Sequence, residues 1–345
     1  MTEPRLHRWR RRARTIPSML VATAVALFLA PVAIPVLAVA DLVRLRTSVP
    51  SVRVYLFALQ YLVNDSVEIL AAGPYWVLAG FGTRLRSPAS IQRHRRLQQW
   101  SLDLLEQRAV QLLGLRVDLS PEDHAALAGE RGSGPVIVIS RHVSLFDASL
   151  PGIVTHRAGY VSRGIIMAEL LADPGFDLLY GRLGSVFVPR DDGTTARQAI
   201  ARMVTGATDN TAYILFPEGR LFRPEQLERS IDRLASSDPD RAKRLGGLSS
   251  ALPPRPGGLL TLLEALSAAD VVVLDHRGLD HHQGLADLLR SAPVREPITV
   301  TARRIPRAEI PSDPAAQTRW LDDVWLALDR DVSSSESIQL NRPVS

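Results

Sequence analysis

The stretch that decides the fold is Val136 to Leu150, VIVISRHVSLFDASL. Its first half is an unbroken apolar run of the kind that forms a strand buried on both faces of a sheet. The run stops at Ser140-Arg141-His142, and Asp147 follows five residues after the histidine. One reading is a helix cap: Ser144-Leu145-Phe146-Asp147 fits a capping box, with Asp147 at the positive end of a helix. The other is a catalytic pair at the mouth of the sheet. Residues at i and i+5 lie about 140° apart on an ideal helix, so the two side chains meet only if His142 stands on non-helical backbone before a helix begins. A capped Asp147 stays ionised and holds the imidazole so that its other nitrogen accepts a proton, and the two readings therefore coexist. The spacing alone carries little weight, since chance supplies such a pair about 0.4 times in a chain of this composition.

Working outward, further apolar runs fall at Ser185 to Val188, Thr211 to Phe216, Asp270 to Leu274 and Ile298 to Ala302, alongside Pro135 to Ile139. Helical periodicity marks Leu97 to Leu115, Thr194 to Thr205 and Gly258 to Ala268. Strands alternating with helices predict an α/β domain with a mostly parallel sheet flanked by helices. Ligands in such folds collect where strands end. Arg223 to Arg255 reads as a long polar excursion, and Trp320 and Trp325 lie in a terminal amphipathic helix. The expected organisation is a basic N-terminus and membrane anchor over residues 1–50, an amphipathic or hairpin region over 51–100, the catalytic domain over 101–330 and a disordered tail over 331–345.

Ile16 to Ala40 contains no charged residue. As a helix it extends roughly 37 Å, more than the hydrocarbon core of about 30 Å. It exceeds the apolar core of a signal peptide, which favours a retained membrane-anchoring helix. Pro31 and Pro35 leave a kinked or re-entrant helix as open as a straight span. The second apolar stretch, Val54 to Leu85, carries Asn64, Asp65 and Glu68, which favours a partner lying at the interface over a second span. Arg5, Arg8, Arg10, Arg11, Arg12 and Arg14 precede the first run, suit anionic headgroups, and place the N-terminus on the cytoplasmic side.

Composition excludes much. The 345-residue chain has no cysteine, which removes disulfides, zinc-thiolate sites and a cysteine nucleophile. Its net charge of +5 is almost wholly arginine, Lys243 being the only lysine; a nucleic-acid partner would rest on arginine content alone and is not expected. There is no G-x-S-x-G, H-E-x-x-H, G-x-G-x-x-G or Walker A motif.

Two further blocks matter. Phe216-Pro217-Glu218-Gly219 ends an apolar run in AYILFPEGRLF, and a specified tetrapeptide is expected by chance only about 0.003 times in such a chain. Its plainer reading is a strand-ending turn. Arg190 ends the run in LGSVFVPRDDG. Together the blocks resemble the lysophosphatidic acid acyltransferase (1-acylglycerol-3-phosphate acyltransferase) family of the glycerolipid acyltransferase superfamily, over about Ser133 to Arg330, with closest likeness to its lysocardiolipin acyltransferase-like branch. His142 and Asp147 fall on that family's H-x4-D block, Gly184 to Arg190 on G-x-[IV]-F-[IV]-x-R, and Phe216 to Gly219 on F-P-E-G-T-R. Pro254 to Gly258 is similar to the P-R-T-x-G-F segment of that branch, and Arg303-Arg304-Ile305-Pro306 also matches it. The chain departs where Arg141 replaces the usual Asn, Pro189 the usual acidic residue, and Arg220-Leu221 the usual Thr-Arg.

The resemblance implies transfer of a fatty acyl group from acyl-CoA or acyl carrier protein to the free hydroxyl of a lysophospholipid, with lysophosphatidic acid the favoured acceptor. It implies His142 as general base, Asp147 as its partner, and Arg190, Phe216, Pro217, Glu218, Gly219, Arg220 and Arg255 around the acceptor. Arg220 supplies the missing guanidinium from one position earlier, or the phosphate contact moves to Arg190 and Arg255. No metal or other cofactor is expected. The expected partners are the acceptor, the donor and membrane lipids, at a cell membrane with the site facing the cytoplasm. The alternatives are another lipid acceptor, such as a glycolipid or aminolipid, and an inactive membrane-anchored relative.

Overall fold

The computed structural model describes residues 3–129, 134–190, 192–205 and 208–340. Three long helices come first: α1 (Arg5–Val43), α2 (Pro50–Leu78) and α3 (Pro88–Arg108). Proline occupies the first position of α2 and α3, where its missing N–H is harmless, and Ser87 caps α3 through the Ser90 N–H. The body then runs β1 (Val117–Leu119), α4 (Pro121–Ala128), β2 (Val136–Ser140), α5 (Leu150–Arg157), β3 (Val161–Met167), α6 (Gly181–Leu183), β4 (Val186–Val188) and α7 (Gly193–Met203). It continues through β5 (Thr211–Leu215), α8 (Pro224–Ser237), α9 (Pro239–Leu245), α10 (Pro256–Ala265), β6 (Asp270–Arg277), α11 (Leu285–Ser291), β7 (Ile298–Ile305) and α12 (Pro314–Leu340).

The strands form one seven-stranded sheet in the order β1-β7-β6-β2-β5-β3-β4. Five neighbours, β6 to β4, are parallel; β7 is antiparallel to β6, and β1 runs with β7. The α/β expectation holds. All five residues of β2 are buried, and their period of two sends them to opposite faces. Ile137 and Ile139 join Tyr213, Leu215, Val271 and Val273 under α7, α10 and α12. Val136 and Val138 join Ala212, Ile214, Val272 and Leu274 under α5, α11 and the turn Ala109–Leu113 that follows α3. This double burial is why β2, β5 and β6 read as continuous apolar runs.

Two strands escape the sequence pattern. β3 carries Arg163 and Gly164 in its middle, and β1 is a three-residue edge strand. The excursion before Arg255 folds as α8 and α9, with Leu227, Ile231 and Leu234 of α8 packed on the core. Helix α12 extends into the stretch expected as a tail, and residues 341–345 lie outside the described residues.

Among the described residues α1 is the one helix long and apolar enough to cross a membrane. It pairs with α2: Thr23 Oγ1 lies 2.8 Å from Ser66 Oγ, and Tyr55 donates to the Ala26 carbonyl at 2.7 Å. Both ends of this hairpin are tied to the body. Arg11 and Arg12 pair with the buried Asp177, while Arg46 and Ser48 donate to the carbonyls of Leu289 and Ala292. Two of the arginines expected to meet lipid therefore meet a carboxylate of the protein. Asn64, Asp65 and Glu68, expected at an interface, are buried in the protein; Asn64 and Glu68 meet Ser101 of α3.

Trp325 is fully buried and holds α12 on the sheet. Trp325→Ala is expected to cost about 3–5 kcal/mol and Trp325→Phe distinctly less, read as the fall in unfolding free energy of the solubilised chain.

Candidate active site

The register of three parallel strands builds the site. Ile139 lies opposite Leu215, and Ser140 opposite Leu274. One step further along each strand, Arg141-His142 from β2, Phe216-Pro217-Glu218 after β5, and Asp275-His276 within β6 reach the same end of the sheet. This is the carboxyl end of β2 and β5, where open α/β sheets hold their ligands.

His142 stands on irregular backbone, as the pairing requires. Its Nδ1 lies 2.5 Å from Asp147 Oδ1. The other carboxylate oxygen accepts the N–H groups of Val143 at 2.6 Å and Ser144 at 2.8 Å. The capping-box expectation fails: α5 begins only at Leu150, and Ser144 Oγ donates to the His282 carbonyl and accepts from Phe146 N–H. Asp147 caps no helix; it folds its own loop around the histidine. Burial would raise its pKa, yet the hydrogen bond from His142 and the nearby His276 hold it well below the usual carboxylate range. The His142 ring stacks on Phe216, with centroids 4.5 Å apart and planes 29° from parallel. Its side chain is one-fifth exposed, and among the described residues no hydrogen bond reaches Nε2. The geometry leaves that nitrogen to accept a proton from a ligand.

Phe216 to Gly219 is a hydrogen-bonded turn, Gly219 N–H donating to the Phe216 carbonyl at 3.0 Å. Gly219 has φ of 68°, which a side chain would strain. Glu218 points beneath the site: it is 2 % exposed, and its two oxygens accept the N–H groups of His142 at 3.2 Å and Leu252 at 3.1 Å. Arg255 joins this turn, its N–H donating to the Pro217 carbonyl at 2.8 Å and its Nη1 to the Arg190 carbonyl at 3.3 Å. Arg190 itself pairs with Glu169 at an exposed rim. Thus His142, Asp147, Phe216 and Glu218 meet directly, and Pro217, Gly219, Arg190 and Arg255 adjoin them through backbone contacts. Arg220 instead donates to Gln226 of α8.

Sequence reading missed what Arg141 does. Its side chain is completely buried, with Nε 3.0 Å from Asp275 and Nη1 2.7 Å from Asp280, and it also donates to the His276 carbonyl. Burial opposes the charge, but the two carboxylates raise the arginine's pKa, and Arg141 in turn lowers that of Asp280. The signal in the sequence is a second apolar run ending in charges, VVVLDHRGLD, from Val271 to Asp280. Among the described residues no cluster of His, Asp and Glu has the makings of a metal site.

A family model described as Acyltransferase matches residues 118–277, from β1 to the end of β6. The matched stretch contains His142, Asp147, Arg190, the Phe216–Gly219 turn, Arg255 and His276. The match supports a general acyltransferase role. No curated protein and no solved structure matches the chain.

Burial pushes the Glu218 carboxyl up from 4.5 to about 8, against the N–H groups of Leu252 and His142 and the charge of Arg141. The unfolded chain ionises this group near its ordinary value while the folded chain retains the proton. Stability therefore falls as pH rises from about 4.5 to 8. Glu218→Gln is expected to flatten that decline, checked by thermal unfolding at about pH 5 and pH 8.

Proposed function

We propose that the chain transfers a fatty acyl group from a thioester, acyl-CoA or acyl carrier protein, to the free hydroxyl of a lysophospholipid, with lysophosphatidic acid becoming phosphatidic acid. The observation that carries this reading is the His142–Asp147 pair, stacked on Phe216 with Nε2 open, inside the matched acyltransferase stretch.

His142 Nε2 takes the proton of the acceptor hydroxyl as its oxygen attacks the thioester carbonyl. Asp147 holds the ring by Nδ1 and stabilises the imidazolium that forms. Collapse of the tetrahedral intermediate forms the ester C–O bond, breaks the C–S bond, and returns the proton from His142 to the leaving thiolate. No covalent acyl-enzyme is needed. In this reading Arg190 and Arg255, beside the Phe216–Gly219 turn, take the acceptor's phosphate, planar guanidinium suiting phosphate oxygens. Glu218 braces the loop from below by binding the His142 main chain.

The membrane reading is of the same kind. Val21, Val25, Phe28, Val32, Val36 and Val39 of α1 are exposed. A helix of 39 residues, roughly 58 Å long, tied to the body near both ends, suits a hairpin lying in one leaflet better than an upright span. Such seating brings the site to the lipids it uses, on the cytoplasmic side if Arg5, Arg10 and Arg14 follow the positive-inside rule.

A different lipid acceptor is the second reading. It is favoured by the engagement of Arg220 with Gln226 and of Arg190 with Glu169, which leaves fewer guanidinium groups to a phosphate. Membranes containing matched amounts of wild type or His142→Ala, given labelled acyl-CoA or acyl carrier protein and a panel of lysolipids, decide both. The expected result is acylation of lysophosphatidic acid by wild type and a loss of at least about a hundredfold in the variant. A preference for a phosphate-free acceptor would transfer the assignment to the second reading, and no acylation of any lipid would sink both. Arg255→Ala is expected to raise KM for the phosphate-bearing acceptor about tenfold with kcat little changed.

A further inference from the structure

A second histidine lies against the catalytic carboxylate. His276, on β6, is 1 % exposed, and its Nε2 is 3.5 Å from Asp147 Oδ2, the oxygen that His142 does not use. Among the described residues neither ring nitrogen makes a hydrogen bond of ordinary length. Buried polar groups are nearly always paired, so an unpaired imidazole facing a carboxylate calls for a reason.

Several groups fix its state and place. Asp147 faces it from the loop after β2, and Arg141 from the end of β2 donates to its main-chain carbonyl. Asp275 and Asp280, on the same strand and the loop beyond, hold Arg141. Val300 of β7 is its sheet neighbour on the other side. A lone pair on Nε2 would repel Asp147, so Nε2 carries the proton. The buried Arg141 charge thus locks the end of β6 to the end of β2 and sets His276 opposite the carboxylate.

We infer that His276 is a positioning residue for His142, acting through Asp147: its Nε2–H faces Oδ2, keeps the carboxylate from turning, and limits the negative charge presented to His142 Nδ1. The kinetic part of this inference rests on the acyl-transfer reading above. His276 touches no substrate in this scheme. Removing it leaves a looser and more basic Asp147, which holds a proton on His142 to higher pH and lowers the turnover of the base without weakening acceptor binding.

The test uses the full chain in detergent, as wild type, His276→Ala and His276→Gln, the glutamine amide reaching the position of Nε2. Two readouts are taken: the pH profile of kcat and KM with the best lysolipid acceptor, and the titration of His142 by NMR with ¹⁵N-histidine. For His276→Ala the expected result is a fall in kcat of about tenfold with KM unchanged, with both the acid limb and the His142 titration moved to higher pH by about half a unit or more. His276→Gln is expected to restore all three. If His276→Ala lacks a cooperative melt, His276→Met, which fills the space without a donor, takes its place. Wild-type kcat and an unmoved His142 titration in the donor-free variant would overturn the inference, as would failure of glutamine to restore them. If wild type acylates nothing, the acyl-transfer reading falls by itself, and the NMR titration still decides whether His276 acts on His142 through Asp147.

Discussion

The site depends on one ionised carboxylate kept out of water. Asp147 is fully buried, and an isolated charge there would be untenable without donors. It accepts from the Val143 and Ser144 main chain on one oxygen and from His142 on the other. The backbone contacts force the chain after β2 to leave the strand in a tight irregular loop, which postpones α5 until Leu150. The same contacts keep the charge that orients the imidazole. Loop shape and imidazole orientation are thus two effects of one desolvated group.

Beneath that carboxylate lies a buried cation. Arg141 brings a guanidinium to zero exposure, and its partners Asp275 and Asp280 come from a strand and the loop after it, which the chain reaches more than a hundred residues later. Buried ion pairs contribute little net stability against an apolar replacement of the same shape, whereas breaking one costs about 3–5 kcal/mol. Their value here is geometric. The fork fixes the end of β6 against the end of β2, and so fixes what stands opposite Asp147. Arg141 has its counterpart in Asp275 and Asp280, which supply the countercharges that a buried guanidinium needs.

How much of this was legible follows from which forces act locally. β2, β5 and β6 were readable because burial on both faces demands unbroken apolar runs, whatever their neighbours. β3 was not, since Arg163 and Gly164 break its pattern and the arginine donates to the Met203 carbonyl, a partner no local window contains. His142 and Asp147 were readable as a pair because their separation permits contact only on non-helical backbone, a constraint confined to six residues. The capping box in the same segment misled, because Ser144 finds a stronger competitor for its hydroxyl in the His282 carbonyl. Arg190 and Arg255 were named from a resemblance, and only the fold shows the Arg255 main chain on the Phe216–Gly219 turn and its side chain on the Arg190 carbonyl.

Arg141 and His276 illustrate the part that sequence reading does not reach. A charge following a strand is ordinarily a solvated residue at a sheet end, and nothing in VIVISRH or VVVLDHR alone says otherwise. Their burial is a property of strand order: β6 lies beside β2 in the sheet, with Ser140 opposite Leu274, so the next residues of each strand face each other. Once that adjacency is known the chemistry is constrained. An arginine covered on all sides must find carboxylates, and a histidine held beside an already ionised aspartate must direct a proton toward it. The charges that look superficial in the sequence are therefore the ones most completely enclosed in the fold, because the parallel register of β2 and β6 leaves them no path to solvent.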